Sequence, residues 1–248
     1  STWANPQDWA AQANSTFGGT VRDGAMGVTE ITPPINTLFQ DQSSPDTVAH
    51  KMIEMPQAGD SAALASAKLY SKAQVRVIDG AATGLTCSPP AGAITTPSFW
   101  DAREAKTVNA IQLDVNLLRT NGCLPDGAVV YVASTAAVTG STMSAVRLVN
   151  GQQLPAGGMT VVSQNPVYVR GDYNTVGKRP AAIMGDAITV LSNNWGPNNS
   201  DAKGSQVKGN RKASNTVVNA AFMTAPSVES TQGAGNGQLE NVIRFLED

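Results

Sequence analysis

The chain has 248 residues, 41% hydrophobic and only 15% charged, with 23 Gly, 14 Pro and a formal net charge of −2. That composition excludes a disordered chain, and scattered charge without a basic stripe argues against nucleic-acid binding. No run of about 18 apolar residues occurs, so no spanning helix is expected.

In chain order, residues 1–145 are expected to form an irregular N-terminal strap followed by an α+β region. Residues 146–248 then form a β-rich region sharing one continuous core with it. Trp3, Trp9 and Phe17 are too unevenly spaced for a strand, and Pro33-Pro34, Pro45 and Pro56 break any helix in the first 60 residues. The Ala-rich run from Asp60 to Ala73 predicts a helix capped by Asp60 or Ser61. Val75 to Ile78 reads as a strand, residues 80–98 as a loop, and Val108 to Asp114 as an apolar-polar segment. Asp114 can cap a short helix from Val115 to Arg119, and Val129 to Ala133 is a buried strand.

From Val146 the pattern turns to short β-branched runs: Val146–Val149, Met159–Ser163, Val167–Arg170, Ala181–Ser192 and Thr216–Met223. Asn165, Asn174 and Asn193 separate them, and asparagine tolerates the left-handed conformation that corners need. The predicted fold is mainly β, with a parallel β-helix or solenoid in the C-terminal half. A β-sandwich is the competing arrangement.

Cys87 and Cys123 are the only cysteines. A disulfide between them would close a loop of about 36 residues and stabilise by roughly 3–4 kcal/mol; two buried thiols are the alternative.

The residues offer few chemical constellations. His50 is the only histidine and no Gly-x-Ser-x-Gly elbow accompanies it, so a structural role is expected. One His and two separated Cys do not make a zinc site. Lys203, Lys208, Arg211 and Lys212 read as a solvated loop, and Gly233–Gly237 as a linker. On a stacked sheet Asp172 and Asp186 would lie on adjacent coils near Arg170 and Arg179, the arrangement a polysaccharide lyase or hydrolase uses. The plainer reading of both Gly-Asp pairs is turn chemistry, in which Asp satisfies nearby backbone N–H groups. Calcium is the candidate ligand, with Asp172, Asn174 and Asp186 as its oxygen donors, although no EF-hand spacing is present. Phe99-Trp100 and Trp195, the latter expected to be exposed, are candidate stacking surfaces for a glycan; burial beside a local Arg–carboxylate pair is the structural reading of the former.

Several motifs resemble a family of large bacterial surface proteins. They are Phe99-Trp-Asp-Ala-Arg-Glu104, Ile111-Gln-Leu-Asp-Val115, Val146-Arg-Leu-Val-Asn150, Ser163 to Asn174, Pro180 to Trp195, and the ending Leu239 to Asp248. Members of that family begin with a prepilin-like helix of the PilX pilus-assembly type and carry this body as their exported part. The resemblance spans most of residues 50–248, and the prepilin helix is absent from this sequence. It implies a cell-surface, periplasmic or extracellular address, with membrane contact only through such an anchor. It also implies pilus or envelope proteins as partners, or self-assembly.

The expectation is therefore a non-enzymatic structural or adhesive domain. A glycan- or calcium-binding module and a carbohydrate-active enzyme are the alternatives.

Overall fold

Runs of β-branched residues punctuated by Gly, Asn and Pro fold into short strands in the computed structural model of the protein. The structure describes Ser15 and residues 48–196, 201–202, 211–224 and 243–247. All but Ser15 belong to one unit, residues 38–248. Of the expected strap, Ser15 and residues 48–60 are described, and there the stretch between Pro45 and Pro56 is long enough to form the helix Val48–Ile53 where none was expected. The Gly233–Gly237 stretch, Lys203 and Lys208 lie outside the described residues.

Three short helices come first: α1 (Val48–Ile53), α2 (Ala62–Ala67) and α3 (Leu69–Lys72). β1 (Val75–Ile78), β2 (Ala81–Thr83), β3 (Ile94–Thr95), β4 (Ser98–Asp101) and β5 (Lys106–Asp114) follow. After α4 (Val115–Thr120) come β6 (Ala128–Ala133), β7 (Thr142–Val149), β8 (Met159–Val162) and β9 (Val167–Arg170). The last described strands are β10 (Ala181–Gly185), β11 (Ile188–Leu191), β12 (Ala221–Thr224) and β13 (Arg244–Phe245).

The fold is mainly β, with mixed parallel and antiparallel pairing and few helices. The first sheet runs β12-β10-β8-β6-β1-β2; the second runs β13-β11-β9-β7-β5-β3, with β4 also paired to β5. From β5 onward consecutive strands alternate between the two sheets, and each pairs in parallel with the strand two places on. β2, β3 and β4 pair antiparallel at the other end. Both sheets continue across position 145, because β5 pairs with β7 and β6 with β8.

The pairing places like residues in rows. Val75, Val130, Val161 and Ile183 are cross-strand neighbours in the first sheet. Ile111, Val146, Val167 and Ile188 form the matching row in the second. All eight belong to one buried apolar cluster, each side chain contributing about 1.5–3 kcal/mol by leaving water. Alternation along each strand sends the next residue outward, so the outer faces carry their own rows.

Two segments differ from expectation for tertiary reasons. The Asp60–Ala73 helix is broken at Lys68, whose backbone is extended (φ −60, ψ 147). Ser61 caps α2, accepting from the Leu64 N–H at 3.1 Å. Lys68 is fully buried, and its ammonium holds Glu54 at 2.7 Å and Asp60 at 2.5 Å. A buried ammonium needs such partners more than a helix needs one more turn. The Ala181–Ser192 run, expected as one strand, is two strands in different sheets with a corner at Asp186-Ala187. Gly185 permits that corner: a Cβ there would lie 2.8 Å from Val167 Cγ2 and 3.2 Å from the Asn165 carbonyl oxygen. Asp114 caps α4 as expected, accepting from the Leu117 N–H at 2.9 Å.

Candidate functional site

A connected polar constellation lies on the outer face of the second sheet. Gln112, Arg147, Tyr168, Thr189 and Arg244 are successive cross-strand neighbours on β5, β7, β9, β11 and β13. Arg147 is only 3% exposed, and a guanidinium buried that far must be partnered. It donates to both oxygens of Asp201 at 2.9 and 3.1 Å and to Gln112 Oε1 at 2.8 Å. It also stacks on the Phe99 ring, 4.7 Å from the centroid. The Trp195 indole N–H donates to Asp201 Oδ1 at 2.8 Å, and the Trp100 backbone N–H donates to the Asp201 carbonyl at 2.7 Å.

A second set of bonds ties the same face to the β4–β5 turn. The Tyr168 hydroxyl donates to Asp101 Oδ2 at 2.5 Å, while Asp101 Oδ1 accepts from the backbone N–H groups of Arg103 and Glu104. Burial, reinforced by the Asp101 carboxylate, pushes the Tyr168 phenol well above its usual range. Phe99 meets Tyr168 edge to face at 5.0 Å. Glu104 receives Arg244 Nη1 at 2.8 Å, bridging 140 positions of sequence. This network anchors loops to the sheet and leaves the Asp101 and Asp201 carboxylates occupied.

Phe99 is therefore buried beneath Arg147 and beside Tyr168. Trp195, expected to be exposed, is 2% exposed and packs in the same cluster; its N–H needs a buried acceptor, which Asp201 supplies. Trp100 is half-buried on the opposite face of β4, beside a cavity of about 440 Å³ lined by Ser98, Phe99, Trp100, Thr107 and Asp201.

The proposed calcium donors do not form one cluster. Asp172 follows β9, and its Oδ1 accepts from the Val217 N–H and the Asn193 amide at 2.8 and 2.9 Å. Those two donors hold its carboxyl below the usual carboxylate range. Asn174 is buried and left-handed (φ 56). Its amide donates to the Arg179 and Asn219 carbonyls and its oxygen accepts from the Arg179 N–H. Asp186 lies between β10 and β11, beside Asn165. Because Val167 pairs with Ile188 and Arg170 with Leu191, Asp172 and Asp186 lie at opposite ends of these strands. That is a separation on the order of 13 Å or more, at about 3.3 Å per strand residue. It exceeds the ~6.5–9.5 Å of an inverting carboxylate pair, so the two do not form an acid/base couple. Among the described residues no group of three or more His, Cys, Asp or Glu side chains is placed to hold a metal.

Cys87 and Cys123 are disulfide-bonded with Cα atoms 4.6 Å apart, joining the loop after β2 to the end of α4. The neighbouring Thr86 N–H donates to the Cys123 carbonyl at 2.9 Å. His50 lies in α1.

Sequence reasoning passed over Arg147, Gln112 and Asp201 as a set. The legible signal was a lone charged residue inside the apolar run Val146-Arg-Leu-Val149, which demands a partner if the strand is buried. Its partner, 54 positions away, could not be read from spacing. No family model, curated protein or solved structure matches this chain.

Proposed function

We propose that the chain is a non-enzymatic structural or adhesive domain of a pilus-associated or cell-surface protein, built as a two-sheeted β-solenoid. The observation that carries the reading is the strand order: β5 to β13 alternate between sheets while each pairs in parallel two places on. A chain wound in this way stacks one coil on the next and offers long side surfaces for packing against partners. The side chains that chemistry would need, Asp101, Asp172, Asn174 and Asp201, are engaged in holding loops and corners. The Cys87–Cys123 bond suits an oxidising, extracytoplasmic compartment. The resemblance to prepilin-anchored surface proteins supplies the pilus context, with pilus or envelope proteins or further copies as partners. Immunolabelling of intact source cells, with a non-reducing gel of the labelled protein, tests this. Surface labelling and co-release with sheared pili are expected; an intracellular protein with both thiols reduced overturns the reading.

A further inference from the structure

We infer that Lys68 and Asp60 are a self-modification site, joined by a side-chain amide bond that the folded chain makes with Glu54 as proton carrier. This goes beyond the reading as a structural domain and does not depend on where the protein resides. Lys68 is 0% exposed, and a lysine is almost never buried so completely. Its Nζ lies 2.5 Å from Asp60 Oδ2, 2.7 Å from Glu54 Oε1 and 3.3 Å from the Met55 carbonyl oxygen. The two carboxylates are themselves shielded, with side chains 9% and 13% exposed. Ile53, Met55, Leu69 and Tyr70, their neighbours in sequence, pack in one apolar cluster, which keeps water from the meeting point. The helix break at Lys68 brings the amine to Asp60, the residue before the cap Ser61.

In water an amine and a carboxylic acid do not condense, because both are ionised and the solvent drives the reverse reaction. Burial disfavours both charged forms and excludes water, and fixed contact turns a chance encounter into an intramolecular step. Burial pushes the Asp60 carboxyl up, but Lys68 and the Gln57 N–H outweigh it and hold the carboxyl below its usual range. The pair therefore rests as ions, and reaction begins with loss of a proton from the ammonium to Glu54. The freed amine adds to Asp60 Cγ, forming the N–C bond. Oδ2 accepts from the Gln57 N–H at 2.7 Å, a donor placed to stabilise the negative charge that grows on that oxygen. Two of the three ammonium protons pass by way of Glu54 to Oδ1, which leaves as water when its bond to Cγ breaks. The third stays on the amide nitrogen. One ammonium and one carboxylate become one neutral amide and one water, with no oxidant or co-reactant. The desolvation cost of two buried ions disappears with them.

The test is mass spectrometry of the full chain, folded, then denatured with its cysteines reduced. The expected mass is one water below that of the sequence. Trypsin should then leave residues 52–72 as a single peptide, also one water light, because a lysine in amide linkage is not cut. Fragmentation of that peptide should give no backbone ions from between Asp60 and Lys68, where the chain is closed into a ring. Lys68→Met should show the full mass of its sequence. Glu54→Gln should keep the wild-type circular dichroism spectrum and yet show the full mass with cleavage at Lys68, which loss of a merely structural ion pair would not produce. The full sequence mass in the wild type overturns the proposal, and this result is read whether or not either variant folds. Loss of water with normal cleavage at Lys68 also overturns it, since that marks a succinimide at Asp60. A folded Glu54→Gln variant as completely cross-linked as the wild type overturns the role of Glu54.

Discussion

The Arg147 guanidinium and the Asp201 carboxylate meet at 2.9 Å across 54 residues of sequence, 3% and 10% exposed respectively. The pair joins the centre of β7 to a loop beyond β11, and three aromatic residues gather around it: Phe99 under the guanidinium, Trp195 on the carboxylate, and Trp100 through its backbone. Its worth to the fold lies in what breaking it would leave behind.

Asp201→Asn should destabilise the protein by about 3 kcal/mol, because an uncompensated buried guanidinium remains. Arg147→Met combined with Asp201→Asn should recover much of that loss. Urea unfolding of the two single variants and the double variant measures the coupling, and simple additivity would show that the charges do not interact.

Replacing Cys87 and Cys123 by serine should cost roughly 3–4 kcal/mol, since the bridge closes a 36-residue separation. The thermal midpoint of the wild type should fall to that of the double variant on adding reductant. A midpoint insensitive to reductant would contradict the expectation.

Acid should weaken the corners. The Thr135 hydroxyl and N–H hold Asp79 below the usual carboxylate range, and the Val217 N–H and Asn193 amide do the same for Asp172. A carboxylate with a depressed folded pKa contributes stability that is fully present above its unfolded value, roughly 3.9, and lost as pH falls through the lower folded value. Denaturant midpoints should therefore drop below about pH 4. Asp79→Asn and Asp172→Asn should each flatten that drop; an unchanged slope would assign it to other groups.

Gly151 and Tyr173 should prove coupled. A Cβ on Gly151 would lie 2.4 Å from Tyr173 Cδ2, so Gly151→Ala should cost about 1–3 kcal/mol by overpacking. Tyr173→Leu should relieve part of that penalty in the double variant. The Tyr173 hydroxyl is buried with no hydrogen-bond partner among the described residues, so Tyr173→Phe should be neutral or stabilising by about 1 kcal/mol. A large loss in Tyr173→Phe would reveal a partner for that hydroxyl.

What could be read directly from the chain is what local chemistry decides. The β-branched run at Val167–Arg170 becomes a strand with the expected bounds, and Asp114 caps the helix that follows it. Asn174 takes the left-handed corner that its short amide tolerates. These outcomes depend on a residue and its immediate neighbours. The break at Lys68, the split of the Ala181–Ser192 run and the burial of Trp195 depend on groups brought together from afar. Lys68 leaves the helix for Glu54 and Asp60, β10 and β11 join different sheets, and Trp195 finds Asp201. A run of apolar residues states that it will be buried, but not against which sheet, because strand period is the same on either. The separation of Asp172 from Asp186 has the same origin: each Gly-Asp pair declares a corner, and only the strand register decides at which end of the sheet that corner lies.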